Sequence, residues 1–159
     1  MASVRILIAD DHEAVRRGVR SLLASHADWE VCGEAIDGLD AVEKAKSFRP
    51  DVVILDISMP KLSGLQAVPL IKDELPDSEI LILSQHDLAQ ARRLALDAGA
   101  RNFISKSNMA RDLRAHLMTL SNDAGQVRRT RTLYQLCPSR RLHWPQASSS
   151  SQALAKWLR

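Results

Sequence analysis

The 159-residue sequence is poor in cysteine and in long apolar runs, and each shortage excludes a class of protein. Its two cysteines, Cys32 and Cys137, are too few and too far apart for a disulfide framework or a metal knuckle. No apolar run approaches the roughly 20 residues that cross a bilayer, and the first residues lead directly into a strand-like segment rather than a signal peptide. We therefore expect a reduced, cytoplasmic protein that makes no contact with a membrane.

Aromatic residues are also scarce, at 4% of the chain, so the core has to be built mainly from Ala, Leu, Ile and Val. The formal net charge of +3 hides an asymmetry along the chain. Residues 1–120 hold 15 Lys and Arg against 18 Asp and Glu, whereas residues 121–159 hold 7 against 1. We therefore predict a slightly acidic domain over 1–120, followed by a basic, disordered tail over 121–159.

Apolar runs typical of strands alternate five times with segments of helical periodicity. The predicted strands occupy residues 5–9, 29–35, 51–55, 79–83 and 101–105. The predicted helices occupy residues 12–24, 37–47, 64–74, 87–97 and 108–120, and Pro69 is expected to kink or shorten the third of them. This alternation predicts an α/β fold, in which right-handed crossovers place helices on both faces of a five-stranded parallel sheet.

Polar residues follow four of the predicted strands at their carboxyl ends: Asp10 and Asp11, Asp56, Ser84, and Lys106. We expect them to meet in space, because sites in such sheets form outside the carboxyl ends of the strands, near the reversal of strand order. Three carboxylates make an oxygen-rich site that suits Mg²⁺, and Lys106 and Ser84 could bind phosphoryl oxygens. Asp56 could then act as a nucleophile and form an aspartyl phosphate.

Each of these residues also has a simpler interpretation when it is taken alone. Asp11 could cap the first helix, and Asp56 could be a turn residue that bonds the backbone near Ser58. Ser84 could be a polar strand end and Lys106 a solvated surface lysine. Only the joint pattern of four chemically matched strand ends favours a site.

Two other features of the sequence admit a functional and an ordinary interpretation. His12, beside the acids, could ligate a metal, although a surface position is the more common fate of a single imidazole. The arginines of the first helix, Arg16, Arg17 and Arg20, could meet a partner protein, although we prefer a solvated helix face as their explanation.

The motifs resemble the receiver domain of a bacterial two-component response regulator. The resemblance covers residues 4 to about 120, and its spacing is specific. It is carried by Asp10-Asp11, by Asp56-Ile57-Ser58-Met59-Pro60 with Gly64, by Ser84, and by Phe103 with Ser105-Lys106. Residues 8–12 and 56–60 are most similar to LuxR/NarL-type regulators, which carry a helix-turn-helix domain. The resemblance implies a flavodoxin-like (βα)5 fold.

The resemblance also implies a role for each residue. Asp56 would accept a phosphoryl group from a sensor histidine kinase. The groups that would hold Mg²⁺ are the side chains of Asp10, Asp11 and Asp56 and the backbone carbonyl of Ser58. The phosphoryl oxygens would be held by Lys106 and Ser84. The protein would thus be a phosphoacceptor that dephosphorylates itself slowly, rather than an enzyme with turnover.

Phosphorylation would act as a switch in such a domain. Movement of Ser84 towards the phosphate would let Phe103 swing inward, which changes the surface of the fourth helix, fifth strand and fifth helix. His86 stands where receiver domains vary a side chain that can influence the lifetime of the aspartyl phosphate. A homodimer that forms on phosphorylation is a further possibility.

Residues 121–159 do not fit the resemblance. A LuxR-type output domain needs about 60 residues with clear helical periodicity. The resemblance implies control of transcription, but residues 121–159 do not contain the recognition helix that would read DNA. Three interpretations of the tail stay open: a disordered extension, which we prefer, a nucleic-acid-binding segment, or a remnant of a lost output domain. Two alternative functions follow, a phosphorylation-dependent nucleic-acid-binding regulator and, ranked last, a Mg²⁺-dependent aspartyl-phosphate phosphatase.

Overall fold

The computed structural model describes residues 3–85 and 89–120. Over this part of the chain the strands are β1 (Val4–Ala9), β2 (Trp29–Ala35), β3 (Val52–Asp56), β4 (Glu79–Ser84) and β5 (Asn102–Ser105). The helices are α1 (Glu13–Leu23), α2 (Gly38–Phe48), α3 (Gly64–Glu74), α4 (Ala89–Asp97) and, after a 3-10 turn at Lys106–Asn108, α5 over 109–120. The predicted tail over 121–159 and the predicted start of the fourth helix at 87 lie outside the described residues.

The five strands form one parallel sheet in the order β2-β1-β3-β4-β5. The chain leaves β1 for β2 on one side and then crosses to β3 on the other side, so strand order reverses between β1 and β3. The predicted doubly wound α/β fold is therefore confirmed, and its reversal point lies beside the carboxyl ends of β1 and β3.

The core consists of two apolar layers, one on each face of the sheet. One layer packs β-strand residues against α2, α3 and α4, with Ala45, Ile71 and Ala95 among its buried members. The other layer packs them against α1 and α5 through residues such as Val19 and Leu117. Burial on both faces explains why the central strands are nearly continuous apolar runs. No helix in the described part of the chain has the length and apolarity that spanning a membrane requires.

Two helices begin with side-chain caps that the sequence supplies. Asp37 precedes α2, and its Oδ1 accepts a hydrogen bond from the amide of Asp40 at 2.9 Å. Ser63 precedes α3 and forms a capping box with Gln66, each side chain accepting from the backbone amide of the other residue. These caps place the starts of α2 and α3 at the carboxyl edge of the sheet.

Pro69 does not shorten α3, so that part of the prediction is wrong. The helix continues through Pro69 over the full range Gly64–Glu74. Pro69 lies on the exposed side of the helix, while Ala67, Val68 and Ile71 bury its inner face. Burial of that face and the capping box at its start outweigh the one backbone hydrogen bond that proline removes.

Candidate functional site

Two aspartates lie next to each other at the point where strand order reverses. Asp10 follows β1 directly and is 0% exposed, whereas Asp56 is the last residue of β3 and is 2% exposed. The sequence placed Asp56 just past its strand and in reach of solvent. The structure corrects only the strand boundary, because Asp56 still pairs with Leu83 of β4. A buried carboxylate needs a counter-charge or a hydrogen-bond donor in contact with it.

Lys106, directly after β5, provides that counter-charge. Its Nζ lies 2.7 Å from Asp10 Oδ2 and 2.7 Å from Asp56 Oδ1. Burial of Lys106 disfavours its ammonium form, but the two carboxylates outweigh this effect and raise the pKa of Lys106 above its ordinary value. Lys106 is therefore a charged bridge between the two aspartates at neutral pH and not a solvated surface lysine.

An open cleft of about 270 Å³ gives access to Asp56. The cleft is lined by His12, Asp56, Ser58, Ser84, Gln85 and Lys106. The carboxyl ends of β3, β4 and β5 thus bring together Asp56, Ser84 and Lys106, three predicted site residues that lie far apart in the sequence. Gln85 was not predicted, and only its position next to Ser84 could have indicated it.

The loop between β3 and α3 wraps closely around Asp56. The amide of Ser58 donates to Asp56 Oδ2 at 2.9 Å, and the amide of Ile57 donates to the carbonyl of Leu83 at 3.0 Å. A Cβ on Gly64 would lie 2.1 Å from the carbonyl oxygen of Asp56, so only glycine permits this approach. Asp56 does bond the backbone at Ser58, as its interpretation as a turn residue predicts. The same carboxylate also faces Lys106 and the cleft.

The acidic turn after β1 has donor groups that fit a metal ion. Asp10, Asp11 and His12 each offer one ligand atom, and these atoms lie within 4.8 Å of one another. Asp10 Oδ2 is buried and accepts no hydrogen bond of regular geometry within residues 3–85 and 89–120, so its contact with Lys106 is an ion pair. Three carboxylates, including Asp56, against one ammonium leave a surplus of negative charge that suits a hard cation.

The predicted cap by Asp11 is wrong. His12 is the N-cap residue of α1, and it makes no side-chain capping hydrogen bond. Asp11 instead lies 2.7 Å from the Nδ1 atom of His12. Its carboxylate therefore stays at the mouth of the acidic turn, where it is available to a ligand.

Sequence reasoning missed two contacts that support this edge of the sheet. Arg16, which was assigned to a solvated face, has a side chain only 12% exposed and donates to the carbonyl of Asp10 at 2.7 Å. Lys61, in the loop after Asp56, forms an ion pair with buried Asp37 at 2.6 Å. The position of Arg16 beside the apolar stripe of α1 was a signal for the first contact, whereas no local pattern predicts the second.

Phe103 lies on β5 with its ring in the core. It is 2% exposed, and the guanidinium carbon of Arg92 on α4 lies 5.2 Å from the ring centre. The structure thus holds Phe103 in the inward position. His86, for which the sequence suggested an influence on phosphate lifetime, lies outside the described residues.

Residues 6–118 match the family model described as the response regulator receiver domain. Response regulator protein VraR of Staphylococcus aureus is 36% identical over 111 residues, which cover 70% of this chain and 53% of that protein. The chain thus spans about half the length of the curated relatives that it matches.

Solved structures agree in fold. The signal receiver domain of the putative response regulator NarL from Mycobacterium tuberculosis is 32% identical, with a TM-score of 0.71 over 77% of this chain and 98% of that chain. A chain in the crystal structure of the CheX-CheY-BeF3-Mg²⁺ complex from Borrelia burgdorferi is 26% identical, with a TM-score of 0.70 over 75% of this chain and 90% of that chain. The sequence resemblance to LuxR/NarL-type receiver domains is confirmed.

Proposed function

The chain belongs to the response regulator receiver family of two-component systems, and from this premise we propose that it is a phosphorylation-controlled switch with Asp56 as phosphoacceptor. One observation carries the proposal. The carboxylate of Asp56 lines an open cleft while Lys106 holds it from one side and the Ser58 amide from the other. A carboxylate that is oriented in this way and reachable from the cleft can attack a phosphorus atom in line.

The donor in the proposed reaction is a phosphohistidine of a sensor histidine kinase, in an exchange that we expect in the cytoplasm. A carboxylate oxygen of Asp56 forms the new P–O bond while the N–P bond of the donor breaks. The imidazole leaves with the electron pair of that bond and takes up a proton. No residue of this chain has to be deprotonated first, because Asp56 reacts as the carboxylate.

The other residues of the cleft contribute position and charge. Lys106 stays protonated next to Asp56 and can bind a transferred phosphoryl oxygen through the same ammonium. Ser84, at the end of β4, can donate its hydroxyl to a second oxygen. Mg²⁺, which the Borrelia complex contains, would be held by the Asp10, Asp11 and Asp56 side chains and the Ser58 carbonyl, and it would neutralise charge on the phosphoryl group.

The switch itself is proposed to run from the cleft to the outer strand. Ser84 pairs in register with Ser105 of β5, and the ring of Phe103 on the same strand contacts Arg92 of α4. A new hydrogen bond from Ser84 to phosphate would therefore bias the packing of β5 and α4. We propose that the surface of α4, β5 and α5 reports phosphorylation to a partner, which could be a second copy of the chain.

The test is the intact mass of the full chain after incubation with acetyl phosphate and Mg²⁺. Wild type should gain one phosphoryl group, and Asp56→Asn should gain none. Asp97→Asn is the matched control, because it makes the same change at a carboxylate 70% exposed on α4 and should behave as wild type. An adduct on Asp56→Asn, or no adduct on folded, Mg²⁺-binding wild type with either acetyl phosphate or a phosphorylated kinase, would contradict the proposal. Repeated turnover of a phosphate ester would favour a phosphatase instead.

A further inference from the structure

Arg16 connects three parts of the carboxyl edge of the sheet. It extends from the first turns of α1, and its side chain is only 12% exposed. One guanidinium nitrogen donates to the carbonyl oxygen of Asp10 at 2.7 Å. The Nε atom donates to Glu34 Oε2 on β2 at 3.2 Å. A single planar group thus joins α1 and β2 to the turn that carries the acidic residues.

These contacts fix the backbone on both sides of Asp10. The carbonyl of Asp10 is held by Arg16, its amide donates to the carbonyl of Ala35 at 3.2 Å, and its Oδ1 accepts from the amide of His12 at 2.9 Å. The peptide that links Asp10 to Asp11 therefore has little freedom to rotate. This peptide sets the directions of both carboxylates, so the groups that hold it restrict how the two acids converge.

The charge of Arg16 cannot explain its presence beside a cation site. A positive group near the acids would by itself repel a divalent cation and weaken its binding. Glu34 lies against Arg16 at 3.2 Å and also accepts from Arg20 at 2.8 Å, so the charge of Arg16 has a local counter-charge. What remains is the orientation that a buried, two-armed donor imposes.

We propose that Arg16 is a positioning residue of the divalent-cation site, which holds the Asp10–Asp11 turn in the conformation that binds the ion. This inference rests on the proposed function, since it assumes that the acidic turn takes up Mg²⁺. The inference predicts a direction for the change in Mg²⁺ affinity on loss of Arg16, and a purely electrostatic role predicts the opposite direction. Loss of Arg16 weakens cation binding if the residue acts through orientation, whereas it strengthens binding if the residue acts through its charge.

The test is isothermal titration calorimetry of the full chain, which measures its affinity for Mg²⁺ in the absence of any phosphodonor. Arg16→Gln should weaken Mg²⁺ binding by about tenfold, the lower end of what removal of an outer-shell partner costs. Arg16→Lys, which keeps one donor and the charge, should lie between wild type and Arg16→Gln. Arg20→Gln is the matched control, because Arg20 shares Glu34 but has a side chain 55% exposed and does not contact Asp10 within the described structure. It should bind Mg²⁺ as wild type does, within about twofold.

Each outcome decides between the possible roles. Unchanged or tighter binding by folded Arg16→Gln, or equal weakening in Arg20→Gln, overturns the inference and leaves the proposed function intact. Folded wild type that takes up no Mg²⁺ overturns both. Circular dichroism without Mg²⁺ establishes whether each variant is folded. If Arg16→Gln is unfolded, Arg16→Lys is compared with Arg20→Lys, and the inference fails unless only the change at Arg16 weakens Mg²⁺ binding.

Discussion

The two ends of the sheet both bury polar groups, but they balance them differently. At the amino end, Asp51 Oδ2 accepts from the amide of Arg5 at 2.9 Å, and the hydroxyl of buried Ser78 donates to the carbonyl of Pro50 at 2.7 Å. Lys72 donates in turn to the carbonyl of Ser78 at 2.7 Å. These polar groups meet complementary backbone atoms, as expected of groups that serve the fold.

At the carboxyl end of the sheet, negative charges outnumber positive ones. Asp10 and Asp56 are buried around a single ammonium from Lys106, and Asp11 adds a third carboxylate beside them. Burial of a polar group therefore does not distinguish the site from the scaffold, since both ends bury polar groups. The surplus charge, open to a cleft, does distinguish it, because such an arrangement destabilises the fold unless a ligand offsets it.

Replacing one lysine at each end of the sheet should give the largest difference in the free energy of unfolding between the two ends. Lys106→Met leaves two buried carboxylates without their counter-charge, so we expect a loss of about 3–5 kcal/mol in the free energy of unfolding. Lys72→Met removes only donors to backbone carbonyls, so we expect about 1 kcal/mol. Urea denaturation with and without Mg²⁺ measures both. Mg²⁺ should restore part of the loss in Lys106→Met alone, and equal losses or a shared response to Mg²⁺ would refute the distinction.

The glycine that closes the loop around Asp56 should have the next largest effect. Gly64→Ala places a Cβ 2.1 Å from the carbonyl oxygen of Asp56, and overpacking of this kind costs about 3 kcal/mol. Gly18→Ala is the control, because a Cβ at Gly18 on α1 meets no atom within 4 Å. It should stabilise the protein by about 0.5–1 kcal/mol, as a helix prefers alanine. Chemical denaturation would contradict this account if both variants changed stability in the same direction.

A third substitution tests the amino end alone. Ser78→Ala removes the buried hydroxyl that donates to Pro50, which should cost about 1–2 kcal/mol in the free energy of unfolding. Uptake of a phosphoryl group from acetyl phosphate should be unchanged at a temperature where the variant is folded, because Ser78 lies at the opposite edge from Asp56. Slower uptake by folded Ser78→Ala would mean that the two ends are coupled.

Most of the fold follows from local patterns in the sequence. The apolar runs of the central strands and the periodicity of the predicted first and fifth helices are strong signals. Each of these helices has a buried apolar face, with Val19 and Leu23 on α1 and Leu113 and Leu117 on α5. The polar strand ends met in space because parallel strands share one carboxyl edge. That step needs only the order of elements and not the details of packing.

The predictions that failed depend on where distant groups come to lie. The apolar stripe next to Arg16 indicates that its side chain is partly covered, but it does not indicate that Asp10 turns its carbonyl towards Arg16. No local pattern indicates that Lys61 reaches Asp37. Pro69 is tolerated because the opposite side of its helix is buried, which a local rule for proline does not include. Long-range contacts of this kind override local preference.

Asp37 sharpens the comparison, because it is a buried acid at the carboxyl end that nevertheless has a full set of partners. The amide of Asp40 and the ammonium of Lys61 both bind its carboxylate, and these contacts, partly opposed by burial, lower the pKa of Asp37 below the ordinary 3.8. The unfolded chain therefore binds a proton at Asp37 before the folded protein does. The stabilisation from Asp37 is fully present above this range and is lost as the pH falls through 3.8 towards the lower folded pKa.

Asp37→Asn should accordingly flatten the acid limb of the stability curve. Asparagine keeps the helix cap but cannot titrate, so the variant should lose less stability than wild type between about pH 5 and pH 3. Asp97→Asn, which changes an exposed carboxylate on α4, should keep the wild-type slope. Urea denaturation at several pH values tests this, and an unchanged slope in Asp37→Asn would mean that its pairing with Lys61 does not persist in solution. A flatter slope in Asp37→Asn, with phosphoryl uptake retained at neutral pH, would show that Asp37 serves stability and not phosphorylation. Asp37 and the proposed phosphoacceptor Asp56 would then differ in charge balance, although both lie at the same edge of the sheet.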